Sequence, residues 1–291
     1  MAYYIKQGQS SIFTKIKINE NECTIPLITA NKKKVEKIVK KLKKKGIDQV
    51  VLDNKTKGNN EFIKYLNNYD IAIIDGKWLM QYMLQDIIEK IDPKTTIEDE
   101  ITILANDLTN EVNKNIKQFA NKYKKIRIVT NHIEKFKRIE QEMYEEKGIP
   151  IIITNNKRKA LAKSNLIINF DFVEETINQY NIYENAIIIN LSDNIKIGKK
   201  RFSGSIITDY EVEFKEIEKS EKQELLNTED ILQKQKEYSL KEIIEENIYT
   251  NVQKQPNYNL FETIQENIKK YNIKVSKLYG INGEIAWKNR N

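Results

Sequence analysis

The segment KIRIVTNHIEKFKRIEQEMYEEKGIPIIIT, residues 125–154, contains the pattern that decides the fold. It opens with a short apolar run at 126–129, continues as a long amphipathic stretch, and returns to an apolar run after Gly148. Short apolar runs are typical of buried strands, and an amphipathic stretch followed by glycine predicts a helix with its C-cap. The segment therefore predicts a strand–helix–strand unit of a parallel sheet.

The same alternation runs along most of the chain. Apolar runs of strand length separate predicted helices at 32–45, 60–68, 77–91, 109–123, 132–147, 157–163 and 173–180. This order predicts the α/β class, in which helices cover a parallel sheet. Two β segments in the first eighteen residues predict an N-terminal hairpin. Near the C-terminus, strands around Gly204, a helix, and a hairpin at Asn282-Gly283 are predicted.

Composition limits the classes of protein that this chain can belong to. Apolar residues make up 40% and charged residues 31% of the 291 residues, which is typical of a globular protein. The N-terminus lacks the layout of a secretory signal, and no run is long enough for a membrane helix, so we expect a cytoplasmic protein without membrane association. A single cysteine, Cys23, and a single histidine exclude an internal disulfide and a Cys/His zinc site.

Residues 126–190, and especially GIPIIITNNKRKALAKSNLIINFDF at 148–172, resemble the Rossmann NAD(P)-binding domain of the shikimate dehydrogenase and glutamyl-tRNA reductase type. The resemblance implies that Asn155, Asn156, Lys157 and Arg158 lie beside a cofactor ribose or its 2′-phosphate. Arg and Lys are suited to a phosphate, so the cofactor that the resemblance implies is NADP. It also makes Asn131 and His132, after the first strand of the match, candidate cofactor-binding residues.

The glycines of a dinucleotide loop are absent from this match. By the resemblance they fall near Thr130, His132 and Lys135, where side chains block the close approach of a pyrophosphate. The Asn131-x-x-Glu134 spacing instead predicts an N-cap with a reciprocal carboxylate, which also places negative charge at the helix N-terminus. We therefore expect no cofactor, and NADP is the alternative.

Polar residues at the ends of the predicted strands are the remaining candidates for chemistry. Asp53, Asp75, Asp107 and Asp171 follow apolar runs, where they could converge on Mg²⁺ or serve as ordinary helix caps. His132 could act as an acid or base, but the sequence identifies no partner for it. We assign no catalytic residue and no metal site.

These observations predict three regions, an N-terminal α/β domain at 1–95, a degenerate Rossmann-like domain at 96–195, and a mixed helix and hairpin C-terminal extension at 196–291. The leading hypothesis is a non-catalytic binding or regulatory protein that binds a protein partner or a small-molecule ligand. One alternative is an NADP-dependent oxidoreductase. Another is a nucleic-acid-binding protein that uses the lysine-rich helix at 31–46, in a chain of net charge +7. The C-terminal extension is a candidate surface for oligomerisation.

Overall fold

The computed structural model describes residues 2–8, 15–28, 31–91, 100–213, 231, 233–253 and 260–285, and for 251–253 the backbone alone. Two compact units are formed. Unit 1 contains the described residues of Met1–Leu79, Phe214–Leu260 and Glu266–Asn272, and unit 2 contains those of Met80–Glu213, Phe261–Gln265 and Ile273–Asn291. This division differs from the three predicted regions, because residues 196–291 are shared between the two units.

The described strands and helices follow the α/β order that the sequence predicts. The strands are β1 (Tyr3–Gln7), β2 (Lys17–Asn19), β3 (Glu22–Ile25), β4 (Gln49–Leu52), β5 (Ala72–Ile74), β6 (Glu100–Leu104), β7 (Lys125–Val129), β8 (Ile151–Thr154), β9 (Leu166–Asn169), β10 (Ile187–Asn190), β11 (Ser205–Glu213), β12 (Lys274–Gly280) and β13 (Gly283–Glu284). The helices are α1 (Lys32–Lys44), α2 (Asn60–Asn68), α3 (Lys77–Met80), α4 (Leu84–Ile91), α5 (Asn110–Phe119), α6 (Ile133–Lys147), α7 (Glu174–Ile177), α8 (Leu240–Gln253) and α9 (Leu260–Lys270).

The sheet of unit 1 has the strand order β2-β3-β1-β4-β5. β1 is parallel to both β3 and β4, and β5 is parallel to β4. The predicted hairpin between the first two β segments is therefore wrong, although residues 9–14 lie outside the described chain. Tyr4 and Ile5 are fully buried, and this apolar strand takes the centre of the sheet. The hairpin that forms joins β2 to β3 through Glu20, whose φ is 49°.

The helices of unit 1 begin at residues suited to that position. The side chain of Asn31 accepts a hydrogen bond from Lys34 N at the start of α1, and Asn59 accepts one from Phe62 N at the start of α2. The apolar stripe of α1 is buried in the same core as β1 and β4, while its lysines face outward. Further along the chain, α8 packs against β4 and β5.

The sheet of unit 2 has the order β13-β12-β11-β10-β9-β6-β7-β8. Its six strands from β6 to β11 are all parallel, whereas β12 and β13 add an antiparallel edge. Numbered along the chain from β6, the parallel strands lie in the order 3-2-1-4-5-6, which is that of a doubly wound Rossmann sheet. The α/β class with a Rossmann-like sheet is thus confirmed.

Several predicted elements differ in detail. The helix predicted at 157–163 is a series of turns, in which the Asn156 side chain accepts hydrogen bonds from the amides of Arg158 and Lys159. The helix predicted at 77–91 is divided into α3 and α4, and a single strand, β11, follows Gly204. The C-terminal hairpin forms as β12 and β13. In the described part of the chain, no helix is long and apolar enough to cross a membrane.

Candidate functional site

The candidate site lies at the carboxyl edge of the unit 2 sheet, where the strand order reverses between β6 and β9. Ligands of open α/β sheets bind outside the carboxyl ends of the strands at such a switch point. The first Rossmann strand is therefore β6, and the strand at 126–129 that the resemblance makes the first is β7, the second. This correction moves the expected phosphate loop to ANDLT, residues 105–109, which also contains no glycine.

Asp171, in the loop after β9, is the central side chain of this edge. Its Oδ1 accepts a hydrogen bond of 2.9 Å from Asn106 N, and its Oδ2 accepts bonds of 2.8 Å from Asn106 N and 3.1 Å from Asp107 N. These two amides belong to the loop between β6 and α5, which offers donors to a pyrophosphate in dinucleotide-binding sheets. An internal carboxylate already accepts from them.

Neighbouring side chains hold the same loop from its other side. The Oδ1 of Asn106 accepts a hydrogen bond of 3.0 Å from Asn131 N, which joins the loop after β6 to the loop after β7. Asp107 forms an exposed ion pair with Lys135, the third residue of α6. Thr109 accepts a hydrogen bond from Val112 N as the N-cap of α5. The edge is thus tied together by its own polar groups.

The two carboxylates of the edge respond to different surroundings. Burial raises the pKa of Asp171, although the hydrogen bonds from Asn106 and Asp107 act in the opposite direction. The hydrogen bond from Lys135 holds the pKa of Asp107 below its usual range. The edge thus contains two acidic side chains, one of them half-buried and bonded to loop amides and the other paired with Lys135.

The structure places the six predicted cofactor-binding residues in two loops. Asn131 and His132 follow β7, at an exposed depression of about 400 Å³ that also includes Lys135. The segment 155–158 follows β8, the outermost of the parallel strands, and its four side chains are exposed. From the end of β8 the chain turns toward the region that follows α7, where the carbonyl oxygen of Lys157 accepts a hydrogen bond of 2.7 Å from Asn181 N. A cofactor role for these six residues stays a prediction.

The self-capped start of α6 predicted from Asn131 and Glu134 is wrong. The N-cap residue is His132, and its side chain makes no capping hydrogen bond. The amide of His132 donates to Thr130 Oγ1 at 3.0 Å, and Glu134 instead pairs with Lys137 at 2.8 Å. The amide of Asn131 is directed to Asn106, as described above, so Asn131 connects two loops rather than starting a helix.

The four strand-end aspartates do not converge on one site. Asp53 and Asp75 belong to unit 1, where Asp53 binds the amide and hydroxyl of Thr56 and Asp75 accepts a bond of 3.0 Å from Lys77 N. Asp107 and Asp171 are the pair at the edge of unit 2. Over the described residues, no group of three or more acidic, histidine or cysteine side chains is arranged to hold a metal ion.

Comparisons with solved structures give matches at low similarity. A shikimate dehydrogenase in complex with NADP⁺ is 13% identical, with a TM-score of 0.31, and the match covers 64% of this chain and 73% of that one. An L-tryptophan dehydrogenase from Nostoc punctiforme is 7% identical, with a TM-score of 0.35 and coverage of 86% and 68%. An NAD-dependent malic enzyme from Thermotoga maritima is 12% identical, with a TM-score of 0.31 and coverage of 64% and 54%.

No protein-family model matches the sequence, and no curated protein matches it. The similarity to the solved structures is too low to transfer an activity or a cofactor to this chain. Its class, a Rossmann-like α/β protein, follows instead from the strand order and the parallel pairing of unit 2.

The sequence identified some residues of this edge but not their arrangement. The sequence places Asp171 and Asp107 directly after apolar runs, whereas the resemblance makes β7 the first strand and therefore does not point to the amides of the 106–107 loop. The signal was present in ITILANDLTN, residues 101–110, where an apolar run leads through a capping threonine into an amphipathic helix.

Proposed function

We propose that this chain is a non-catalytic binding or regulatory protein built on a Rossmann-like scaffold, in which an internal carboxylate replaces the dinucleotide phosphate. The observation that carries the proposal is the set of hydrogen bonds from the 106–107 amides to Asp171. A pyrophosphate would have to displace this carboxylate and approach a second one, that of Asp107, without the close contact that glycines permit. We assign no catalytic role to Asp107, Asp171 or His132 at this edge.

We expect the wild-type protein to show no saturable binding of NADPH or NADH in a calorimetric titration. The NADP-dependent oxidoreductase alternative makes the opposite prediction, since it requires wild-type affinity that depends on Arg158, whose exposed guanidinium would bind the 2′-phosphate. Arg158→Glu would then abolish binding. Arg138→Glu, a change at an exposed arginine of α6, is the matched control.

The result that would overturn the proposal is saturable NADPH binding by the wild type that survives Arg138→Glu and is lost in Arg158→Glu. An Asp171→Asn variant extends the test, because it removes the charge while keeping an acceptor for the loop amides. If the carboxylate of Asp171 prevents NADPH from binding, the Asp171→Asn variant should bind NADPH measurably under conditions in which the wild type does not.

A second candidate function, nucleic-acid binding, is favoured by the outer face of α1. Five exposed lysines of this helix have no ion-pair partner among the residues that the structure describes; they are Lys33, Lys34, Lys37, Lys41 and Lys44. Unpaired lysines along one helix face can neutralise successive backbone phosphates and release their counterions. The face is therefore suited to a sequence-independent interaction with a nucleic acid.

For this candidate we expect fluorescence anisotropy to detect binding of labelled duplex RNA or DNA at low salt, with an affinity that falls steeply as salt is raised. Lys37→Glu combined with Lys41→Glu should weaken this binding strongly. Lys199→Glu combined with Lys200→Glu, at exposed lysines of unit 2, should have a smaller effect. Absence of binding at low salt would remove the candidate.

A further inference from the structure

The sheet of unit 1 has a switch point of its own. Its parallel strands lie in the order β3-β1-β4-β5, so the chain moves to one side of β1 first and then to the other. Numbered along the chain, this is 2-1-3-4, the order at which flavodoxin-like sheets bind their ligands beside the first strand. The carboxyl ends of β1, β3 and β4 therefore form a second place at which this chain could bind a small molecule.

A cavity of about 470 Å³ lies at this position. Its walls include Gly8 after β1, Asp53, Asn54 and Lys55 after β4, and Lys236 and Glu237 from the segment that precedes α8. The amide of Asn54 donates to Glu237 O at 3.1 Å, which fixes this segment against the loop after β4. The cavity is within the size range of small-molecule sites.

The carboxylate of Asp53, in the wall of the cavity, is bonded within the protein. Asp53 is 5% exposed, and its Oδ1 accepts bonds of 2.7 Å from both the amide and the hydroxyl of Thr56. Its Oδ2 accepts a bond of 3.0 Å from Gln7 N. Asp53 therefore joins the end of β1 to the loop after β4, and few of its lone pairs remain for a cationic ligand.

The lysine side chains of the cavity wall differ from Asp53 in how they are bonded within the protein. Lys55 and Lys236 are both exposed, and neither has a hydrogen-bond or ion-pair partner among the described residues. Lys6, the third lysine of the wall, is bound to Glu22 at 2.9 Å and lies 4.0 Å from Glu237. The ammonium groups of Lys55 and Lys236 thus remain available for a ligand, beside the exposed carboxylate of Glu237, and the two positive charges at a concave surface favour an anion.

We propose that unit 1 binds a small anionic metabolite, one that bears a carboxylate or a phosphate, in this cavity, with Lys55 and Lys236 contacting its anionic group. The switch-point position, the concave wall and the two unpaired lysines support this site together. The proposal is independent of the proposed function, because it concerns unit 1 alone and would hold whether or not unit 2 binds a dinucleotide.

The test uses the full chain with two probes, inorganic phosphate and succinate, in calorimetric titrations supported by amide NMR spectra. We expect saturable binding of at least one probe, with shifts of the Gly8 and Asn54 amides, and the probe that binds more tightly identifies the anionic group. In a Lys55→Gln/Lys236→Gln variant the dissociation constant should rise by about tenfold or more, since two charge-assisted contacts are lost.

Lys199→Gln/Lys200→Gln is the matched control, because it removes two exposed lysines of unit 2 that lie outside the cavity wall. It should leave the dissociation constant unchanged. The proposal is overturned if neither probe binds the wild type saturably, or if the control weakens binding as much as the cavity variant does. The amide spectra show directly that each variant is folded.

Discussion

Raising the pH from about 5 to about 8 is expected to lower the free energy of unfolding of unit 1 by about 3–6 kcal/mol. The cause is a pair of carboxyl groups on α8, Glu242 and Glu245, which are 3% and 5% exposed. Burial raises the pKa of each to about 7, from an ordinary value of 4.5. Each group is therefore more readily protonated in the folded chain than in the unfolded one.

Neighbouring groups only partly offset the effect of burial on the pKa values of the two glutamates. Glu242 lies 2.7 Å from the Nζ of Lys57, and the positive charges of Lys57 and Lys241 lower its pKa against the effect of burial. Glu245 accepts hydrogen bonds from the amides of Leu79, at 2.8 Å, and Gly76, while the charge of Asp75 acts in the same direction as burial on both glutamates.

The sign of the effect follows from the raised pKa. The favourable contribution of the protonated groups is complete below the unfolded pKa of about 4.5 and is lost as the pH rises through the folded pKa of about 7. Unit 1 is thus expected to be more stable in mild acid than in mild base. Carboxylates whose pKa is lowered by a strong ion pair in the folded chain would instead make the protein more stable as the pH rises.

Urea unfolding at the two pH values measures this effect, and amide hydrogen exchange in β4 assigns it to unit 1. The Glu242→Gln/Glu245→Gln variant should be nearly independent of pH over this interval. Glu20→Gln, at an exposed residue, should keep the wild-type slope. A wild type that becomes more stable as the pH rises, or a glutamine variant with an unchanged slope, would refute the assignment.

The second large effect is expected for Asp171→Ala, which should lower the free energy of unfolding by about 2 kcal/mol. The substitution leaves the amides of Asn106 and Asp107 without the carboxylate that accepts from them. The burial that raises the pKa of Asp171 offsets part of the benefit of these bonds, so the loss is smaller than the sum of separate charge-assisted hydrogen bonds.

Thermal unfolding of matched variants measures the contribution of Asp171. Asp171→Asn keeps an oxygen acceptor and should lose less stability than Asp171→Ala. Asp193→Ala, at an exposed aspartate after β10, should change the stability little. Equal melting temperatures for the wild type and Asp171→Ala would show that the carboxylate does not stabilise the loop after β6, and the proposed function would lose the observation that carries it.

Local periodicity predicted much of the fold, because most strands and helices of this chain are specified by their own residues. α2 begins and ends as its pattern indicates, and α6 ends at Gly148 in the left-handed conformation, with φ at 65°. The order of the strands does not follow from local periodicity, since pairing joins segments that are distant in sequence. β1, for example, pairs with β3 and β4 and not with β2, the strand that follows it in the sequence.

The candidate site depended on the same non-local information. The resemblance makes β7 rather than β6 the first Rossmann strand, which shifts every expected cofactor contact by one strand–helix repeat. The sequence of a single strand–helix–strand segment does not show whether it is the first or the second repeat, because all repeats have the same hydrophobic periodicity. The hydrogen bonds from the 106–107 amides to Asp171 join residues that lie about 65 positions apart, which no local spacing reports.

Unit 1 is discontinuous in the chain, and this has a consequence for its synthesis. The amide of Leu79 is bound by Glu245, a partner 166 residues later, and α8 covers β4 and β5 only after all of 80–213 has been made. Because chains emerge from the ribosome N-terminus first, the surface of β4 and β5 that α8 covers stays uncovered until residues 80–239 have been translated. Part of the unit 1 sheet therefore stays exposed to solvent in the nascent chain until α8 has been synthesised.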